Sequence, residues 1–485
     1  MQKMRKTLLL ALGILAITAG ALGVASCDPS KEEQDGSSST AEAEADKDSE
    51  GLEYTLNKDG VSYSVTGVGA CTDTNIVIPS TYEGLPVTSI DDYAFRDCTN
   101  LTGVKIPDGI TRIGDEAFAY CDGLTSLKMG GSVENIGYSA FTACTSLTKV
   151  ELPNSVKIID SSAFAHCDGL TNVEMGDGVT SIGYEAFSSC SSLTSVVIPD
   201  SVTSMDMSSF AYCSSLTTVK MGGSVENIGD RTFFFCSSLT SIVIPDSIKS
   251  IGKEAFYACA SLANVEMGEE VTSIGLAAFA QCSALTEVVI PESVKTIASS
   301  AFANCTSLTS VEISDNITSI GVGVFAYCDQ LVVTEYEEGL YLGNENNPYV
   351  ALITMASTSE SAYTIHEDTK VIAGNAFYRC GGMTTITIPD NVTSIGDEAF
   401  QYCTGLMSVV IGEGVTSVGN KAFSYCFSLE KVYYKGTEKE WAEISMNNSM
   451  NSDLINATRY YYSEEEPTTE GNYWHYDENG NVVVW

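Results

Sequence analysis

The chain of 485 residues is poor in basic groups: 24 Lys and Arg stand against 63 Asp and Glu, a formal net charge of -39. That argues against a DNA- or RNA-binding protein, because phosphate contact needs a basic field. Histidine is scarce. His166, His366 and His475 lie 200 and 109 residues apart, so a catalytic triad through any of them is unsupported. No Cys-x-x-Cys pair occurs, which removes the usual start of a zinc site. There is no Gly-x-Ser-x-Gly elbow, no phosphate-cradling loop with lysine and no His-Glu-x-x-His. Asp477-Glu478-Asn479-Gly480-Asn481 begins like a calcium loop, but Val482 stands where glycine is required, so it reads as a polar turn. The expectation is a binding protein with no catalytic residues, no cofactor and no metal.

Apolar residues and cysteine are well supplied. The hydrophobic fraction is 44%, enough for a core. Sixteen cysteines are present, and eleven of them, from Cys98 to Cys328, fall every 23 residues. After a gap of 52 residues, Cys380, Cys403 and Cys426 resume the same step. Phenylalanine precedes each of these fourteen cysteines by three places, from Phe95 to Phe423, and leucine follows by three at all but Met383. This is a tandem repeat.

One unit, Leu193 to Ser215, reads LTSVVIPDSVTSMDMSSFAYCSS. Leu-x-x-Val-x-Ile is short and β-branched and is stopped by Pro or Gly, so it reads as a strand. A second extended piece follows, then x-Ala-Phe-x-x-Cys, with room for one helical turn. A unit of 23 residues cannot bury its own apolar face, whereas stacked units can. A longer period overlies the first. Pro107, Pro153, Pro199, Pro245 and Pro291 are 46 apart, and Met-Gly pairs at Gly130, Gly176, Gly222 and Gly268 fall between them. Either a two-unit block was duplicated, or the alternation spaces a partner's contacts two coils apart.

The strand and the x-Ala-Phe-x-x-Cys phrase at period 23 resemble the BspA-type leucine-rich repeats of bacterial surface proteins. The resemblance spans about Ile76 to Val432. It implies a leucine-rich repeat solenoid of curved, parallel-strand coils that attaches to a host or neighbouring-cell surface or matrix protein. The chain departs from the common leucine-rich pattern in stacking cysteine where an asparagine ladder is usual. The solenoid is expected over 76–434, with 329–375 irregular. There EEGLYLGNENNPYVALI reads as a β-hairpin elaboration.

At the N-terminus Lys3, Arg5 and Lys6 precede an apolar run from Leu8 to Ala25, a secretory signal over 1–26. Val24-Ala25-Ser26-Cys27 resembles the bacterial lipobox. The resemblance implies cleavage before Cys27 and a lipid on its sulfur; an uncleaved membrane anchor is the alternative. Both place the body outside the cytoplasm. Residues 27–50 read as a disordered acidic tether. Residues 51–75 read as a β-hairpin cap. Residues 435–485 hold all three tryptophans and read as a C-terminal cap, with a short helix in KGTEKEWAEI and a hairpin in GNYWHYDENGNVVVW. The latter stretch also resembles, faintly, one unit of the aromatic cell-wall-binding repeats.

Removing Cys27 leaves fifteen cysteines, an odd number, and stacked side chains point in parallel, so buried free thiols are expected. On the first strand, a threonine column (Thr102, Thr125, Thr148, Thr171, Thr194, Thr217, Thr240) reads as β propensity and cross-coil stacking. A variable column should face a partner: Lys105, Lys128, Glu151, Glu174, Val197, Lys220, Val243, Glu266, Val289 and Glu312. The place before the cysteine holds Tyr120, His166, Tyr212, Phe235, Tyr327, Tyr402 and Tyr425. These either cover the end of each short turn or form a binding stripe. The expected function is adhesin-like recognition of a protein. A glycan-capturing lipoprotein and a structural envelope spacer are the alternatives.

Overall fold

The computed structural model describes residues 47–485. The signal segment, Cys27 and most of the tether lie outside them. The body is a solenoid of about 17 turns with little helix.

Each regular coil contributes two short strands. In the coil quoted above they are Ser195–Val197 and Ser204–Met205. Both pair in parallel with the same strand of a neighbouring coil, Ser195 with Thr218 and Ser204 with Ser181, a register of 23. Val196, Ile198, Val202, Met205, Phe210, Cys213 and Leu216 are buried, and the residues between them on the strands are exposed or half-buried. The period-two alternation of the strands therefore faces a core shared with the neighbouring coils, which no single coil could enclose.

The expected helical turn is built as a run of overlapping turns. Ala117, Ala119 and Cys121 N–H groups donate three residues back, to Gly114, Glu116 and Phe118. The alternate amides, Glu116, Phe118 and Tyr120, donate across to Tyr138, Ala140 and Thr142 of the next coil at 2.7, 2.7 and 2.8 Å. Every amide in the run is thus satisfied, half within the coil and half between coils. The geometry needs two left-handed residues per coil, and apart from Gly323 none of them is glycine. They sit five places and one place before the cysteine, with φ of 50° to 64°.

Each end of the described chain carries an antiparallel hairpin. Glu53–Leu56 and Tyr63–Gly67 form an antiparallel hairpin that pairs onto Leu85–Ile90. Ser49 is buried: its amide donates to Val77 O, and its hydroxyl lies 2.6 Å from Asp73. At the other end, helix Glu438–Glu443 starts on a capping box between Thr437 and Glu440 and buries Trp441. Tyr473–Tyr476 and Val482–Val484 make a hairpin, and Trp474 within it is fully buried, its Nε1 donating to Tyr434 O at 3.0 Å. The tail is thereby packed against the strand that holds Tyr434. The irregular region is a three-stranded antiparallel meander of Thr334–Tyr336, Gly339–Leu342 and Ala351–Met355. The array continues past it because Gly374 N–H donates to Ile320 O at 2.9 Å.

Candidate functional site

The repeated interior residues form columns, each with a physical task. From Phe95 to Phe325 the phenylalanine rings stack face to face, 4.9 to 5.8 Å apart and within 15° of parallel. Cysteine thiols donate to the phenylalanine carbonyl of the preceding coil, as Cys144 to Phe118 and Cys167 to Phe141 at 3.2 Å. All fifteen described cysteines are free thiols, with only Cys71 and Cys98 half-buried. Burial pushes the Cys121, Cys167, Cys213 and Cys259 thiols up to about 12. Inert packing groups, not reactive ones, result.

The threonine column is structural too. Thr125, Thr171 and Thr217 hydroxyls donate to the carbonyls of Thr102, Thr148 and Thr194 at 2.9 Å. The 46-residue alternation also has a packing cause. A Cβ on Gly130 would lie 2.3 Å from Pro107 O, and one on Gly222 2.5 Å from Pro199 O. Each Met-Gly coil therefore lies directly on the proline of the coil before it.

Two columns are left on the surface. All ten residues of the variable column are exposed. Lys105 lies beside Lys128 in register, and Glu151 beside Glu174. Lys149 reaches both of those glutamates, at 2.5 and 2.9 Å. Val197, Val243 and Val289 are 55%, 57% and 60% exposed, with charged residues on the coils between them.

The second column precedes the cysteines on the turn flank. Tyr120, His166, Tyr212, Phe235, Tyr327 and Tyr425 are exposed and Tyr402 is half-buried. They do not form one unbroken stripe. Tyr212 stacks on Phe235 at 5.7 Å, and Tyr402 on Tyr425 at 4.5 Å. Phe234 and Tyr257 widen the first group, and Arg379 and Tyr378 the second. Arg96 lies over both Tyr93 and Tyr120. Sequence reading missed these partners, although aromatics two places before the cysteine, where alanine is common, were the available signal. No helix end exists here for the aromatics to cover.

The three histidines stay apart. His166 is exposed, His366 stacks on Tyr349 at 3.6 Å and His475 on Trp485 at 3.9 Å. Among the described residues no group of three or more His, Cys, Asp or Glu could hold a metal ion.

With the coil geometry in hand, comparison with known proteins is informative. The family model for the BspA type leucine rich repeat region matches residues 88–217, 207–332 and 357–457. The chain belongs to the BspA-type leucine-rich repeat family. Among solved structures, a leucine-rich repeat protein from Bacteroides ovatus is 25% identical over 86% of this chain and 100% of its own, with a TM-score of 0.53. A leucine rich cell surface protein from Faecalibacterium prausnitzii is 24% identical over 82% of this chain and 97% of its own, with a TM-score of 0.36. No curated protein sequence matches the chain. Within this BspA-type array, the buried columns repeat nearly unchanged from coil to coil. The two exposed columns are where this chain differs from coil to coil.

Proposed function

We propose that this chain is a lipid-anchored, extracytoplasmic binding protein that recognises a host or neighbouring-cell surface or matrix protein without covalent chemistry. One observation carries the reading. In a repeat that holds its interior nearly constant, the exposed first-strand column runs Lys, Lys, Glu, Glu, Val, Lys, Val, Glu, Val, Glu. A column freed from packing and made unlike from coil to coil is a recognition surface, since a stack needs no such variety. It lacks aromatics and mixes exposed valines with both charges, which suits a protein partner. The basic n-region, the apolar run and Val24-Ala25-Ser26-Cys27 support export and lipidation at Cys27.

The test is a pull-down of host matrix proteins by the full chain. A binder that is released at least tenfold by the double variant Lys105→Glu, Lys128→Glu, or by Val243→Asp, supports the reading. A binder indifferent to every substitution in the column refutes it. For the anchor, mass spectrometry of the exported protein should find a lipid on Cys27, and Cys27→Ala should shift the protein to the medium. An unmodified Cys27 in the mature chain would rule the anchor out.

A further inference from the structure

The aromatic stripe on the turn flank has one long interruption. Between Phe235 and Tyr327 the places before the cysteines hold Ala258, Gln281 and Asn304. Here a shallow groove of about 450 Å³ opens over those residues, with Ser237 and Ser283 beside them and Phe235 at one end. Tyr327, the next residue of the column, is 70% exposed. At the sheet spacing of about 4.8 Å per coil, Phe235 and Tyr327 stand about 19 Å apart.

The groove itself carries no charge. In a chain of net charge -39, the segments 255–265, 271–286, 296–311 and 316–328 contain no Asp, Glu, Lys or Arg. Its floor is instead rich in neutral hydrogen-bonding groups. Gln281 and Asn304 present exposed amides. Ser237 and Ser283 spend their protons on the carbonyls of Ser214 and Ala260, which leaves their oxygens as acceptors. Gln281 Nε2 donates to the Tyr257 hydroxyl at 2.5 Å, which fixes the amide. Phe235 is braced by Tyr212, Phe234 and Tyr257.

We infer that this groove binds a neutral glycan chain. Sugar hydroxyls match fixed amides and hydroxyl acceptors, and the C–H faces of sugar rings match exposed aromatic rings at the groove's end and just beyond it. An anionic polysaccharide would meet the acidic field of the whole molecule. A polypeptide partner would need deeper apolar pockets for anchor side chains than this shallow floor offers. The groove lies on the turn flank, whereas the variable column lies on the first strands. Failure of either proposal therefore leaves the other standing.

Calorimetric titration of the full chain with cellohexaose, xylohexaose, mannohexaose and maltohexaose tests it, with a polygalacturonate hexamer as the anionic control. At least one neutral hexaose should bind, and the anionic one should not. Tyr327→Ala and Asn304→Asp should each weaken binding about tenfold, while Lys439→Glu, on the exposed face of the C-terminal helix, leaves it unchanged. Tyr327 is exposed and alanine already occupies the same left-handed place at Ala258, so the fold tolerates the change. The proposal fails if no neutral hexaose binds at millimolar concentration. It also fails if binding ignores both groove variants, or if the groove variants abolish a protein contact and no sugar binds.

Discussion

The thiol of Cys213 donates to the carbonyl of Phe187, 26 residues back, at 3.2 Å. The same carbonyl accepts the Cys190 amide of its own coil at 3.4 Å. Both lone pairs of a buried oxygen are thereby used. Cysteine suits the place because it is small and apolar yet still carries a donor. Cys213→Ala should therefore cost about 1–2 kcal/mol, combining a lost hydrogen bond with a small void. Cys98 opens the ladder and is only half-buried; Thr72, not phenylalanine, stands 26 residues before it. Cys98→Ala should be nearly neutral. Denaturant melts of the two variants check the contrast, and equal losses would contradict it.

The thiols also set a pH limit. Burial pushes Cys167, Cys213 and Cys259 from 9.0 up to about 12. A folded value above the unfolded one means stability is fully present below about pH 9 and is lost as pH rises toward 12. Each such thiol withdraws about 1.4 kcal/mol per pH unit across that window. The array should melt at progressively lower denaturant above pH 9. Below that pH, thiol reagents should modify the native body at Cys71 and Cys98 only, and the remaining described cysteines after unfolding. Rapid labelling of Cys213 in the native protein would refute this.

In the regular coils glycine stands at places where φ is ordinary and, apart from Gly323, not at the two where φ is positive, and both facts have measurable consequences. Gly222 has no left-handed requirement, but a Cβ there would lie 2.5 Å from Pro199 O, which is backbone and cannot swing away. Gly222→Ala should cost about 1–3 kcal/mol through overpacking. Ala277 has φ of 52° and is half-buried. A left-handed alanine bears about 1–2 kcal/mol that glycine avoids, offset by glycine's larger chain entropy. Ala277→Gly should thus raise stability by about 0.5–1 kcal/mol. Thermal melts of the two single variants should move in opposite directions.

These same residues mark how far the sequence is readable. Period 23, the Phe-x-x-Cys spacing and the β-branched strand specify parallel coils around a shared core, because a solenoid repeats its contacts as it repeats its residues. The left-handed places are not readable, since Glu116, Arg231, Tyr120 and Ala143 share no side-chain chemistry and only the cross-coil amide bonds demand their φ. The proline and glycine alternation is visible as a pattern, but its cause appears only when Gly130 is set on Pro107. Ser49 sits in acidic, low-complexity sequence, and only its bonds to Asp73 and Val77 show it to be packed. The variable column and the stripe are legible as columns. The groove is not, because it is made by three absences, at Ala258, Gln281 and Asn304, on successive coils.

The phenylalanine ladder tests whether the array behaves as a one-dimensional stack. Phe210 contacts Phe187 at 5.3 Å and Phe233 at 5.8 Å, whereas Phe325 stacks only on Phe302, at 5.7 Å. Phe210→Ala should cost about 3–5 kcal/mol and Phe325→Ala less, since it loses one ring partner and is already near an edge. The loss should also stay local. The buried side chains form two large clusters, one running from Leu52 to Ala373 and the other from Tyr341 to Ala457. The ring ladder stops at Phe325 and restarts with Phe377 on Phe400. In a nearest-neighbour stack a defect at Phe210 weakens the coils beside it and decays with distance. Hydrogen exchange of Phe210→Ala should therefore speed up around residues 187–233 and remain at the wild-type rate from Phe377 to Phe423. Equal acceleration on both sides of the meander would mean that the array unfolds as one cooperative unit, and that the meander transmits stability where the rings do not.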